Sequence, residues 1–272
     1  MPHSHHSHSG QFCKHATGSL EDVVKEALNQ GFEIYGLTEH APRYRGMDLY
    51  PEEVIRPDCR IYDKLTFSKS DISVEDLMTK FEAFLYEAHR LRFEYATTLK
   101  LLVGLETEYI SALDFDGLSK LLQAHKGRID YIVGSIHHVN GIPIDFDFDT
   151  YRHCLDNVPL PAHATDSTEA DQGRERLGVF FDMYFDAQFE LLNKFHPEIV
   201  GHIDLCRLYS PDLQLRAFPR SWAKLERNIK FAVAYGALFE VNAVAFRKGW
   251  NTAYPGEDIA EVNLLMSRTR MR

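Results

Sequence analysis

Short apolar runs alternate with longer amphipathic ones along the whole chain. Ser19-Leu20-Glu21-Asp22 reads as a helix start, with Ser19 as N-cap and Asp22 at the capping-box position. That helix runs to about Gln30, where Gly31 stops it. Residues 32–37 form a strand-like stretch that ends at Thr38-Glu39-His40. A long helix is expected from about Val74 to Ala96, marked by Ser73 and the acidic residues after it. Leu99 to Glu106 reads as a buried strand, followed by a helical pattern to about Lys126. Ile129 to Ile136 is a third, very apolar strand leading into His137-His138. Arg174 to Phe195 reads as helix, and Glu198 to Gly201 as a short strand ending at His202. A helix from about Ser221 to Tyr235 precedes a strand from Ala237 to Asn242.

Strands alternating with helices predict an α/β fold with a parallel sheet or barrel. The stretches Pro42–Ser73 and Pro143 to about Gly173, rich in Pro, Asp and Arg, read as loop insertions in a single domain over residues 1–272. The composition is that of an ordinary soluble globular chain, with 44% hydrophobic and 26% charged residues among 272. The net charge of -10 disfavours a non-specific phosphate-backbone binder, so no nucleic-acid partner is expected. No run reaches the roughly 18 apolar residues of a membrane span, so no membrane partner is expected. Cys13, Cys59, Cys154 and Cys206 are widely spaced, and no signal peptide precedes them. They read as reduced thiols of a cytoplasmic protein.

Histidine is in surplus, with 14 in the chain, and its placement carries the chemistry. His40, Glu106, His137 and His202 each fall at or just past the carboxyl end of an expected strand. In parallel α/β proteins that edge gathers ligand and catalytic groups. The N-terminus holds two His-x-His pairs, His3-Ser4-His5 and His6-Ser7-His8, whose parities differ, so only one pair can line a given cavity. A short strand turning at Ser9-Gly10 favours His6 and His8, and His15 in the next loop can reach the same pocket. The competing reading of this tract is a disordered metal-sticky tail or a tag; against a tag stand the Gln-Phe-Cys-Lys-His stretch and the capped helix that follow at once. Strand alternation turns one of His137 and His138 inward and leaves the other at the rim. Glu106 and Glu108 share a face, and alternation does not choose between them. His89, His125, His153, His163 and His196 show no partner pattern and read as surface residues.

Imidazoles mixed with a carboxylate suit zinc, manganese or iron. Seven candidate ligands exceed one tetrahedral ion, so two or three divalent ions are expected. Adjacent ions share a bridging hydroxide that attacks a phosphate ester, which is metal-assisted hydrolysis of a small-molecule substrate.

The stretches at 6–15, 37–43 (Leu-Thr-Glu-His-Ala-Pro-Arg), 103–106 (Val-Gly-Leu-Glu), 133–146 and 200–205 (Val-Gly-His-Ile-Asp-Leu) resemble, as an ordered set, the PHP (polymerase and histidinol phosphatase) superfamily. Thr-Glu-His-Ala-Pro-Arg and Gly-Ser-Ile-His-His-Val-Asn-Gly are similar to its fungal-type histidinol-phosphatase branch. The resemblance implies a distorted (β/α)7 TIM-like barrel and hydrolysis of L-histidinol phosphate to L-histidinol and phosphate, a step of histidine biosynthesis. It implies His6, His8, His15, His40, Glu106, His137 and His202 as metal ligands. Arg43, after the His40 motif, and Arg247 and Lys248, after the expected strand at 237–242, are candidate phosphate contacts. Asp145, Asp147 or Asp204 is expected to recognise the cationic nitrogen of the substrate. The family closes its metal site with an Asp-x-His pair on a late strand, whereas no histidine follows His202 here. On this reading the barrel lacks its last strand and helix, and the chain turns over weakly or not at all. The alternatives are a PHP-family phosphoesterase of another substrate and a non-catalytic metal-binding protein.

Overall fold

Side-chain caps set the starts of four of the helices, at Ser19, Ser73, Asp147 and Thr168. The computed structural model describes residues 2–50, 53, 73–165 and 168–262, in two compact units, Met1–Glu108 with Ala112–Val133, and Tyr109–Ser111 with Gly134–Arg272. Cys59, with residues 51–52 and 54–72 of the expected insertion Pro42–Ser73, lies outside the described residues.

In the first unit, strand β1 (His3–Ser4) leads to helix α1 (Leu20–Asn29), and Ser19 and Asp22 form the expected reciprocal capping box. Such a cap contributes about 1 kcal/mol by satisfying amides that the helix leaves open. Leu20, Val24 and Ala27 recur on one face of α1 and are buried. Strand β2 (Ile34–Leu37) follows, and then helix α2 (Val74–Glu94), whose Ser73 and Asp76 repeat the capping box. Strand β3 (Lys100–Glu106), helix α3 (Ala112–Ala124) and strand β4 (Tyr131–Gly134) complete the unit's elements. The strands β1, β2, β3 and β4 pair in that order, every pairing parallel. Past the end of β2 the ladder continues as an isolated bridge between His40 and Glu106. The Glu106 amide donates to the Glu39 carbonyl at 2.9 Å, and the Ala41 amide to the Glu106 carbonyl at 2.8 Å. Backbone pairing therefore fixes His40 and Glu106 side by side.

In the second unit, β5 (His138–Val139) and β6 (Ile142–Pro143) form an antiparallel hairpin. Its turn is Asn140-Gly141, both at positive φ, as a two-residue hairpin loop requires. Helix α4 (Phe148–Asp156), capped by Asp147, lies within the stretch expected to be a loop. The Asp147-to-Thr150 cap spacing was its sequence signal. Helix α5 (Glu169–Phe195) starts five residues before the expected point because Thr168 and Asp171 cap it. Strands β7 (Ile199–Val200) and β8 (Leu238–Phe239) pair in parallel around helix α6 (Pro219–Tyr235), and a short helix α7 (Val244–Arg247) follows. Helix α6 packs on α5 through Asn228, whose amide donates to the Phe185 carbonyl at 2.8 Å and the Gln188 side chain at 3.1 Å. The other expected strands and long helices are present within a few residues of their expected bounds, but the N-terminal strand ends at Ser4, so His6 and His8 lie past it rather than on it. Among the described residues no strand follows β8, and Asn242 and Tyr254 form an antiparallel bridge.

Candidate metal centre

The first unit gathers five of the expected ligands. His6 and His8 follow the carboxyl end of β1, His40 follows β2, and Glu106 is the last residue of β3. Their side chains converge on one carboxylate oxygen. Glu106 Oε2 lies 3.2 Å from His6 Nε2, 3.0 Å from His8 Nε2 and 3.3 Å from His40 Nδ1. His6 Nε2 and His8 Nε2 are 3.1 Å apart. His15 joins through its Nε2, 3.3 Å from His40 Nε2. The alternation of the N-terminal tract is resolved by structure: His3 and His5 pack edge-on to each other, with His5 against Tyr131. Glu108, which the sequence could not separate from Glu106, belongs here as well, with Oε1 2.8 Å from His40 Nδ1.

Three further side chains that the sequence reading did not single out shape the cluster. Glu39 is buried, and its Oε2 lies 3.3 Å from His8 Nδ1. Its other oxygen accepts from the Ser9 amide and hydroxyl, each at 2.9 Å. Carboxylate on Nδ1 leaves the Nε2 lone pair of His8 for a ligand, the usual way that a protein sets the tautomer of a metal-binding histidine. The Tyr50 hydroxyl donates to Glu108. Cys13 Sγ lies 3.0 Å from His15 Nε2. The signal for Glu39 was its place beside His40 at a strand end; the others carried none.

Burial and the neighbouring carboxylates set the electrostatics of the cluster. Burial alone would lower the His8 pKa, but hydrogen bonds to Glu106 and Glu39 outweigh it and hold His8 above the ordinary imidazole value. Burial, reinforced by neighbouring His8, pushes His40 down to about 3. The donor set fits a divalent ion. Nitrogen and oxygen ligands at 2.0–2.1 Å from a tetrahedral metal are about 3.3 Å from one another, close to the 3.0–3.2 Å spacing among His6 Nε2, His8 Nε2 and Glu106 Oε2.

In the second unit His137 and His202 follow β4 and β7, and their ring centroids are 5.1 Å apart. The His202 amide donates to Glu240 Oε2 at 2.8 Å. His137 and His138 are both buried, so neither is a rim residue; the hairpin that begins at His138 breaks the alternation on which that expectation rested. His125, expected at the surface, is also buried, with Nε2 3.0 Å from Glu82.

The expected phosphate contacts fall in different settings. Arg43 is 2% exposed, pairs with Glu53 and stacks over the Tyr50 ring at 3.9 Å. It lines a first-unit cleft together with His15, His40 and Lys80. Arg247 and Lys248 are exposed on and beside α7. Asp204 is not placed for substrate recognition. It is fully buried, and its Oδ2 accepts from Arg207 at 2.6 Å and from the Gly256 amide at 2.9 Å. Asp147 serves as the α4 cap, accepting from the Thr150 amide at 2.7 Å.

The chain is similar to known proteins over most of its length. The PHP domain family profile matches residues 4–244. A Schizosaccharomyces pombe relative assigned to histidinol-phosphatase is 42% identical over 265 residues, covering 96% of this chain and 76% of its own length. The Saccharomyces cerevisiae histidinol-phosphatase is 29% identical over 286 residues, covering 96% of this chain and 78% of its own. A Listeria monocytogenes crystal structure assigned to histidinol phosphatase shares the fold with a TM-score of 0.67 at 20% identity, covering 97% of this chain and 91% of that one.

Proposed function

This chain belongs to the PHP domain family, and from that premise we propose that it is a metal-dependent phosphomonoesterase that hydrolyses L-histidinol phosphate to L-histidinol and phosphate in histidine biosynthesis. Its fold is the α/β, TIM-like one of that family. The observation that carries the reading is the convergence of His6, His8 and His40 on Glu106 Oε2 within 3.0–3.3 Å. The relatives that cover almost the whole chain carry the histidinol-phosphatase name.

The proposed ligands of two or three divalent ions (zinc, manganese or iron) are His6, His8, His15, His40 and Glu106 of the first unit and His137 and His202 of the second. When bound, such ions lower the pKa of water and neutralise phosphate oxygens. The chain's own residues hold and orient. Glu39, clamped by Ser9, fixes the His8 ring so that Nε2 faces Glu106. Glu108, held by Tyr50, does the same for His40 from the opposite side of the ring to His15. Arg43, on the cleft that His15 and His40 also line, is the proposed phosphate contact of the first unit, and its planar fork suits two phosphate oxygens. Arg247 and Lys248 are the proposed cationic contacts from the second. The family match runs through both units, which supports reading residues 1–272 as one functional domain. Among the described residues no helix is long and apolar enough to cross a membrane, and the cytoplasm is the proposed location. The net charge of -10 favours a small phosphate ester over nucleic acid.

The test is phosphate release by the purified chain, supplied with zinc or manganese, from L-histidinol phosphate, an aryl phosphate and a nucleoside monophosphate. Preference for histidinol phosphate, lost in Glu106→Gln, is expected. Metal uptake with no preference among the three substrates would overturn the substrate assignment, and absence of metal uptake would overturn the mechanism.

A further inference from the structure

The turn between His8 and helix α1 brings a thiol to the histidine cluster. The Phe12 and Cys13 amides both donate to the Ser9 carbonyl, at 3.2 and 2.9 Å, and the Ala16 amide donates to the Cys13 carbonyl at 3.3 Å. Gly10 lets the turn close, since a Cβ there would sit 2.8 Å from the Thr17 Cα. Ser9 is itself anchored on Glu39, the carboxylate that orients His8. Cys13 is thereby built into the same rigid frame as the histidines.

Its sulfur makes a distinct set with them. Cys13 Sγ lies 3.0 Å from His15 Nε2 and 3.2 Å from His15 Nδ1. His15 Nε2 is 3.3 Å from His40 Nε2. Ligand atoms of Cys13, His8 and His40 lie within 4.8 Å of one another, as do those of His6, His8 and Glu106. The second group is nitrogen and oxygen only. The first includes a buried sulfur that borders the cleft lined by His15 and His40.

We propose that Cys13 is a metal ligand, forming with His15 and His40 a mixed thiolate and imidazole site beside the His6, His8 and Glu106 set. The inference rests on the reading of this cluster as a cation site and adds a ligand and a metal preference to it. On binding, a sulfur–metal bond forms and the thiol proton leaves to solvent. Soft thiolate favours zinc or cobalt over manganese, whereas the nitrogen and oxygen set accepts all three. The two sites therefore differ in the metal they hold under competition. The other described thiols do not compete for this role. Burial pushes Cys154 up to about 12 and holds Cys206 well above its ordinary value, so both stay protonated.

The experiment titrates the metal-free full chain with Co2+ and follows its absorption. The expected result is a near-ultraviolet thiolate-to-cobalt charge-transfer band that rises with the visible d–d bands. Cys13→Ser should lose the near-ultraviolet band and keep visible ones. Visible bands with no near-ultraviolet band in the parent chain, or a near-ultraviolet band that survives in Cys13→Ser, would overturn the proposal alone. Absence of any cobalt uptake would overturn both it and the metal reading beneath it. If Cys13→Ser does not fold, iodoacetamide labelling of the parent chain decides, read at the Cys13 peptide by mass spectrometry. Zinc should protect that thiol, and equal labelling with and without zinc overturns the assignment.

Discussion

The Tyr131 hydroxyl donates to the His5 carbonyl at 2.6 Å, and it reaches that carbonyl across two glycines. A Cβ on Gly104 would lie 2.7 Å from the Tyr131 ring, and one on Gly36 would lie 2.0 Å from its hydroxyl and 2.9 Å from the His5 Cα. Bare backbone on β2 and β3 thus opens a lane through which a β4 side chain pins the strand that presents His6 and His8.

Gly36→Ala should therefore destabilise the chain by about 1–3 kcal/mol through overpacking. Tyr131→Phe should cost about 1–2 kcal/mol by leaving the His5 carbonyl short of a donor. The two penalties should be less than additive, because removing the hydroxyl relieves the closest clash. A urea-unfolding double-mutant cycle measures this, and strict additivity would show that the contact does not couple the two sites.

Glu39 touches His8 and Ser9 and stands one layer behind the proposed ligands. Glu39→Gln should weaken metal affinity by about 10–100-fold while leaving the metal-free fold largely intact. Competition with a chromophoric chelator reads the affinity, and circular dichroism the fold. Unchanged affinity would mean that Glu39 only supports the Ser9 turn.

Chelation of bound metal should lower the melting temperature, and re-addition should restore it in a concentration-dependent way. An ion at about 100 times its dissociation constant stabilises by about 2.7 kcal/mol. Glu106→Gln should abolish most of this response. A melting temperature indifferent to chelator and metal would contradict the cation reading of the cluster.

In the metal-free chain His40 and His8 make opposite contributions to the pH dependence of stability. The His40 pKa is depressed to about 3 by burial and by His8. Unfolded His40 therefore takes up a proton as the pH falls below its ordinary value, while folded His40 does not until about 3, and stability drains away across that window. His8 is raised, so its contribution is complete below the ordinary imidazole value and is lost as the pH rises through its folded value. One such group changes stability by at most about 1.4 kcal/mol per pH unit. Urea unfolding of the metal-free chain and of His40→Gln between about pH 5 and 6.5 isolates the acid limb, which should flatten in the variant.

In the second unit Arg207 is 1% exposed and shared by Asp204 at 2.6 Å and Asp258 at 3.1 Å. Asp204 also accepts from the Gly256 amide, and the Trp250 indole donates to the Leu208 carbonyl at 3.0 Å. Arg207→Ala should cost about 3–5 kcal/mol, because it strands two buried carboxylates. Asp204→Asn should cost less, since Asp258 still answers the guanidinium. Equal losses in the two variants would place the stabilisation in packing against Trp250 rather than in charge.

What the sequence determined by itself was the local periodicity and its punctuation. Ser19 and Ser73 announced their helices by capping spacing, and the apolar runs announced strands whose carboxyl ends carry His40, Glu106, His137 and His202. Those signals are legible because caps and strands are made by residues a few positions apart. The α4 helix, the burial of both His137 and His138, and the commitment of Asp204 to Arg207 were decided by tertiary structure. So was the joint service of Glu106 and Glu108 to His40, where alternation along β3 had left a choice. His8 and Glu106 are 98 positions apart, and Glu39 meets His8 across 31. No periodicity reaches that far. Strand order and parallel register bring those atoms within 3.0–3.3 Å, and the turn from Ser9 adds the Cys13 sulfur that no pattern in the sequence marked.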